Sequence, residues 1–217
     1  MQTKIYQKVL KANDVIAEEN RNLIKKYNIF AVNLVGSPGS GKTTLLERTI
    51  EQLGNEINFG VIEGDLATSN DADRIKKYNI PVAQINTQGA CHLDALMVKQ
   101  PLSDLPLSEI DVLFIENVGN LVCPAGYDLG ENKRVVIMSV PEGDDKPAKY
   151  PLIFRKSDAV VITKIDLLDY FDFSIETAYK YAKIVNKNLN LASLSSKTKE
   201  NFDEWINWLK CNLGSHT

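Results

Sequence analysis

Eight consecutive residues, Gly36-Ser37-Pro38-Gly39-Ser40-Gly41-Lys42-Thr43, constrain this chain more than any other stretch. They follow the apolar, β-branched run Ile29-Phe30-Ala31-Val32-Asn33-Leu34-Val35. They precede Thr44-Leu45-Leu46-Glu47-Arg48-Thr49-Ile50, which has helical character and stops near Gly54. A buried strand, a glycine-rich turn and a helix in that order make a phosphate-binding loop. The glycines let successive backbone N–H groups converge on phosphate oxygens at the positive end of the helix. Gly36, Ser37, Pro38, Gly39, Ser40, Gly41, Lys42, Thr43 and Thr44 are therefore candidate nucleotide-binding residues. Lys42 is expected to reach the terminal phosphates and the Thr43 hydroxyl to bind Mg²⁺.

The remaining pattern supports the same architecture. Strand-like runs recur at 57–62, 82–86, 111–115, 134–140, 159–163 and 190–194, with helix-compatible stretches between several of them. Phe202, Trp205, Leu209 and Leu213 mark a closing amphipathic helix, on which Cys211 is expected to pack. Alternating short strands and helices predict an α/β P-loop NTPase fold, with a mostly parallel central sheet and helices on both faces. Ile5, Val9, Ala12 and Ile16, then Leu23 and Tyr27, predict one or two helices over 3–27. The simplest organisation is a single domain over 1–217 with an N-terminal helical extension at about 1–28.

The base-reading signal lies downstream. Thr163-Lys164-Ile165-Asp166 follows a strand and resembles the Asn-Lys-x-Asp guanine box of GTPases, and Ser195-Ser196-Lys197 resembles their Ser-Ala-Lys box. An Asp166 carboxylate accepts from guanine N1–H and the 2-amino group, donors that adenine lacks. Such sites reject the unmatched analogue by roughly 10⁴-fold or more. The Lys164 stem is expected along the base plane. Thr163 stands where the usual asparagine braces neighbouring loops and is expected to do part of that work.

Two strands end in acids, Glu63-Gly64-Asp65 and Glu116-Asn117-Val118-Gly119. Ligands of open parallel sheets sit at the carboxyl ends of strands, so Asp65 and Glu116 are candidates for Mg²⁺ and for orienting water. Gly119 is expected to offer its N–H to the γ-phosphate. Neither Arg134 nor Arg155 is marked as a built-in arginine finger.

Cys91-His92 and Cys123 have two readings, buried free thiols or a site for Zn²⁺ or Ni²⁺, since thiolate and imidazole suit such ions. Three ligands are one short of a closed tetrahedral zinc site. An odd count of cysteines without a secretory leader points to reduced thiols or metal ligands rather than disulfides. A net charge of −3 supplies no basic footprint for nucleic acid or for a membrane surface. No apolar run is long enough to span a bilayer, and the expected compartment is the cytoplasm. His216, near the end of the chain, is assigned no role.

Taken together, these motifs are similar to those of the hydrogenase nickel-incorporation GTPases, HypB, of the SIMIBI class. The resemblance covers nearly the whole chain. Besides the phosphate loop it rests on Glu63-Gly64-Asp65, Cys91-His92-Leu93 and the run from Glu116 through Leu121-Val122-Cys123-Pro124. Tyr127-Asp128-Leu129-Gly130 and Glu142-Gly143-Asp144-Asp145-Lys146-Pro147, leading to Lys149-Tyr150-Pro151, complete it. The urease-type accessory GTPase carries Cys-Pro-His instead. The resemblance implies a GTPase, converting GTP to GDP and phosphate, that assists nickel insertion into [NiFe]-hydrogenase. It also implies GTP-dependent homodimerisation and Cys91, His92 and Cys123 as nickel or zinc ligands at the dimer interface; Lys42, Asp65 and Glu116, read from the phosphate loop and the strand ends, are the catalytic candidates. The partners it implies are a nickel-carrying accessory protein and the hydrogenase large subunit. Residues 1–30 hold neither cysteine nor histidine, so a separate nickel store there is not expected. Rival readings are a urease-type maturation GTPase, a P-loop kinase of small molecules and a non-catalytic protein with structural zinc.

Overall fold

The computed structural model describes residues 2–65 and 70–216. Helix α1 (Gln2–Lys26) runs unbroken where the pattern left one helix or two, and Asn28, left-handed at φ 54°, turns the chain into β1 (Phe30–Gly36). Asparagine tolerates that conformation better than most residues. Then come α2 (Lys42–Leu53), β2 (Phe59–Asp65), α3 (Asn70–Lys76), β3 (Val82–Asn86), α4 (Ala95–Asp104) and β4 (Val112–Glu116). The second half adds β5 (Lys133–Ser139), the short α5 (Lys146–Lys149) and α6 (Pro151–Arg155), β6 (Ala159–Thr163), α7 (Ile175–Val185), β7 (Asn190–Ser193) and α8 (Phe202–Gly214).

All seven strands pair in parallel, in the order β3-β2-β4-β1-β5-β6-β7. The order reverses around β1, and the crevice outside the carboxyl ends at such a reversal is where open sheets bind ligands. Successive β1 side chains face opposite layers. Phe30, Val32 and Leu34 pack with Leu45, Leu46 and Ile50 of α2 and with Trp205 and Leu209 of α8. On the other face, Ala31 joins Ile24 of α1 and Val98 and Leu102 of α4, while Val35 joins Ile153, Phe154 and Ala178. Burial on both faces explains why the strands read as continuous apolar runs rather than alternating ones.

Strand β2 begins and ends later than the 57–62 expected. Glu63, Gly64 and Asp65 stay in register with Gln84, Ile85 and Asn86 of β3. Polar residues ended the apolar pattern there, but the ladder continues because it depends on backbone pairing. Cys211 is exposed rather than packed. The buried stripe of α8 is Phe202, Trp205, Ile206 and Leu209, and residue 211 lies two positions beyond it, off that face. His216 is placed too, its ring 5.6 Å from that of Phe30.

Candidate nucleotide and metal sites

The phosphate loop opens at the carboxyl end of β1, and Gly41, left-handed at φ 96°, starts α2. The first N–H groups of a helix lack helical partners and face outward along its axis. Lys42 folds back so that Nζ lies 3.3 Å from the Ser37 carbonyl oxygen. Thr43 Oγ1 donates to Glu116 Oε1 at 2.8 Å. Glu63 stands opposite Glu116 in the β2–β4 register, and the two are 2% and 4% exposed. A cavity of about 370 Å³ covers these groups and is also lined by Pro38, Gly39, Thr44, Arg74, Asn117 and Gly119. A threonine hydroxyl beside two carboxylates is a hard oxygen donor set that fits Mg²⁺. Gly119 lies so close to the loop that an added Cβ would meet Pro38 atoms at 2.7–2.9 Å. The Glu116–Gly119 segment therefore runs directly against the phosphate loop.

The base-side motifs gather at the other end of the same loop. Thr163 Oγ1 lies 2.6 Å from the Ser40 carbonyl oxygen and 3.3 Å from that of Met138, so the threonine ties β6 to the phosphate loop. Lys164, left-handed at φ 60°, places Nζ 2.7 Å from the Gly39 carbonyl oxygen. Ser195 Oγ donates to Asp166 Oδ1 at 2.6 Å and accepts from the N–H groups of Lys197 and Thr198. A second cavity, about 320 Å³, is lined by Thr163, Lys164, Asp166, Leu167, Ser196 and Lys197, together with Gly41 and Thr44. Gly41, Thr44 and Lys164 line both cavities, so a single elongated ligand can occupy the two.

Cys91, His92 and Cys123 converge, although 31 positions separate the last two in sequence; their candidate ligand atoms all lie within 4.8 Å of one another. Cys91 Sγ is 3.6 Å from His92 Nδ1, and the His92 and Tyr127 rings pack tilted at 37° with centroids 4.0 Å apart. Cys91 is exposed and the other two are half-buried. The Cys91 thiol is pushed above its usual pKa, chiefly by its hydrogen bond with Cys123 and then by burial. Burial holds His92 below its usual value, which favours neutral imidazole. Two thiols in contact beside an imidazole form a donor set for a soft or borderline divalent ion.

Three asparagines, two in the segment after β4 and one on α1, shape this corner. Asn117 Oδ1, at the end of β4, accepts from Leu93 N–H at 3.1 Å and from Val118 N–H at 3.0 Å. It thus joins the Cys91-His92 loop to the Glu116–Gly119 segment while lining the phosphate cavity. Asn120 Oδ1 accepts from the Val122 and Cys123 N–H groups. Asn20 of α1, buried, donates to the carbonyls of Ala95 and Leu129, which follow the two halves of the cysteine cluster.

Of the residues expected at the nucleotide, the Asp65 side chain lies outside the described residues. Glu63 and Arg74 line the phosphate cavity and were not singled out in the sequence. Register would have found Glu63, because β2 and β4 are neighbours whose terminal acids align. Arg74 sits beyond any recognised motif. Arg134 is a structural residue: it pairs with Glu131 at 2.6 Å and donates to the Tyr127 carbonyl, with its side chain 7% exposed. Among the described residues, no helix is long and apolar enough to cross a membrane.

Residues 30–192 match the family model described as CobW/HypB/UreG, nucleotide-binding domain. The hydrogenase maturation factor HypB of Azotobacter vinelandii is 48% identical over 212 residues, spanning 98% of this chain and 70% of that protein. The solved structure of HypB from Archaeoglobus fulgidus superposes with a TM-score of 0.88 at 42% identity, over 94% of this chain and 99% of that one. HypB from Helicobacter pylori, solved in complex with nickel, gives a TM-score of 0.90 at 38% identity, over 94% and 96% of the two chains.

Proposed function

The chain belongs to the CobW/HypB/UreG family, among the HypB hydrogenase maturation factors, and from that membership we propose that it is a GTP-hydrolysing metallochaperone delivering nickel toward [NiFe]-hydrogenase. The observation that carries this reading is Asn117, whose side chain holds the Cys91-His92 loop while lining the phosphate cavity. Cargo site and nucleotide site thus share one residue.

Guanine is read by Asp166, whose carboxylate is held by the Ser195 hydroxyl. Lys42 and the loop N–H groups bind the phosphates. Thr43, Glu116 and Glu63 hold Mg²⁺, with Asp65 following on the same strand. When bound, that ion neutralises charge on the β- and γ-phosphates. Gly119 offers its N–H to the γ-phosphate, and the segment from Glu116 relaxes once that phosphate leaves. Cys123 lies four positions after Gly119, so its sulfur shifts with the same segment. By linkage, nickel alters nucleotide affinity by the factor with which nucleotide alters nickel affinity.

Cys91, His92 and Cys123 supply three donors near the surface, and a second copy of the chain completes the coordination in a GTP-dependent homodimer. The partners in this reading are a nickel-carrying accessory protein, which loads the site, and the hydrogenase large subunit, which receives the metal in the cytoplasm. The experiment is nickel stoichiometry and dimer fraction with GDP and with a non-hydrolysable GTP analogue, for wild type and Cys123→Ala. Nickel bound by the dimer in a nucleotide-dependent way, and lost in the variant, supports the reading. Nickel binding indifferent to both nucleotide and substitution refutes it.

A further inference from the structure

We propose that Arg74 is a phosphate-contacting residue, parked on Glu47 and drawn onto the nucleotide when the cavity fills. The inference rests on the nucleotide-binding reading above and adds to it a second protein cation. Arg74, on α3, lines the phosphate cavity together with Lys42 and Thr43. Its Nη2 lies 3.2 Å from Thr44 Oγ1, on the residue next to the proposed magnesium ligand. Its Nε and Nη2 both donate to the Glu47 carboxylate, at 3.1 and 2.5 Å, as a fork on a fork.

Glu47 lies one helical turn beyond Thr43 and Thr44 on α2, so the clamp sits at the edge of the cavity rather than away from it. The Arg74 and Glu47 side chains are 37% and 18% exposed, unlike the sealed Arg134–Glu131 pair at 7% and 6%. A partly solvated ion pair can still be exchanged for one with a more highly charged partner. A polyphosphate offers the planar guanidinium the same two-oxygen geometry as a carboxylate, with more charge. Lys42 and one Mg²⁺ leave a nucleoside triphosphate still negative, and Arg74 lines the same cavity on the α3 side, while Lys164 lines it next to the base-side cavity. The turn that ends α3 is also held to α2, where the Tyr78 hydroxyl donates to Glu51 at 2.7 Å. Loss of Arg74 therefore leaves α3 attached.

The test titrates GDP and a non-hydrolysable GTP analogue, each fluorescently labelled, into wild type, Arg74→Ala, Arg74→Lys and Glu47→Gln, and follows single-turnover GTP hydrolysis in each. Arg74→Ala is expected to weaken GTP-analogue binding about tenfold or more, the worth of a charge-assisted hydrogen bond. Arg74→Lys should recover part of that loss, and Glu47→Gln, which releases the guanidinium, should bind at least as tightly as wild type. Equal weakening in Arg74→Ala and Glu47→Gln would show a mere strut between α2 and α3 and overturn the proposal. Unchanged affinity and hydrolysis in Arg74→Ala would overturn it too. A wild type that binds no nucleotide sinks the underlying reading and this one together, whereas normal wild-type binding with an inert Arg74→Ala sinks this one alone.

Discussion

Thr163 shows how one side chain can stand in for another. Its hydroxyl reaches the Ser40 carbonyl in the phosphate loop and the Met138 carbonyl on β5, at 2.6 and 3.3 Å, where a guanine box usually places an amide. Replacing it with valine keeps the shape and removes the brace. Thr163→Val is expected to weaken GTP and GDP alike by about tenfold, roughly what one or two lost hydrogen bonds supply, without altering the preference for guanine. Competition titrations with ATP would check both halves, and acquired ATP binding would contradict the assignment of base reading to Asp166. Asp166→Ala should abolish the preference itself. At this scale the sequence was most informative, because the phosphate loop and the base-reading box are contiguous and their chemistry depends on local order. Glu63 was less visible: its role follows from alignment with Glu116 across two strands, which no linear spacing contains. Cys91, His92 and Cys123 were legible as chemistry, but their convergence was not, since it depends on where the segments after β3 and after β4 deliver them.

Helix α1 is the element whose work was least visible. Its apolar spacing predicted a helix, but Asn13 and Asn20 look like ordinary surface polars in a linear reading. Both are buried, two turns apart, and both bond to backbone around the cysteine cluster. Asn20→Ala would leave the Ala95 and Leu129 carbonyls without this donor, a cost of about 1–3 kcal/mol. Thermal unfolding should show that loss, and nickel affinity should fall with it if α1 braces the site; nickel affinity unchanged in the folded variant would limit α1 to stability. Gly130, left-handed at φ 94°, sits under the same helix, and a Cβ there would lie 2.6 Å from the Ala17 carbonyl oxygen. Gly130→Ala is therefore expected to be the more damaging change, combining backbone strain with displacement of α1.

The same clasp gives the whole molecule an acid sensitivity. Burial would raise the Asp128 carboxyl, but the Gly130 N–H and the Arg21 guanidinium outweigh it and hold the group below its usual value. A carboxyl depressed in the fold stabilises the native state fully above its unfolded pKa, and that stability disappears as pH falls through the folded value. Unfolding measured along the acid limb should therefore steepen below about pH 4, the ordinary carboxylate range. Asp128→Asn should flatten that limb; an unchanged limb would place the sensitivity elsewhere.

Assembly is the other property of the whole molecule. Sedimentation with and without nickel, in the presence of a GTP analogue, should show metal favouring the dimer, and chelation should reverse it. A dimer indifferent to both would place the association surface away from Cys91. The parallel sheet and its ligand-binding edge followed from the alternation of strands and helices. What such a pattern leaves open is which strands become neighbours, and the placement of β4 beside β1 is what brings a nucleotide edge and a cysteine cluster together.

Cys91 stands at the surface while His92 and Cys123 are half sunk beside it. In the single chain, before a second copy closes over it, an ion on such a ledge keeps one side toward the outside, where an incoming thiolate or imidazole can bond before the old bonds break. Exchange by that route proceeds at a speed set by how much acceptor is present, not by how fast the ion escapes unaided. A grip strong enough to prevent leakage is then no obstacle to prompt delivery.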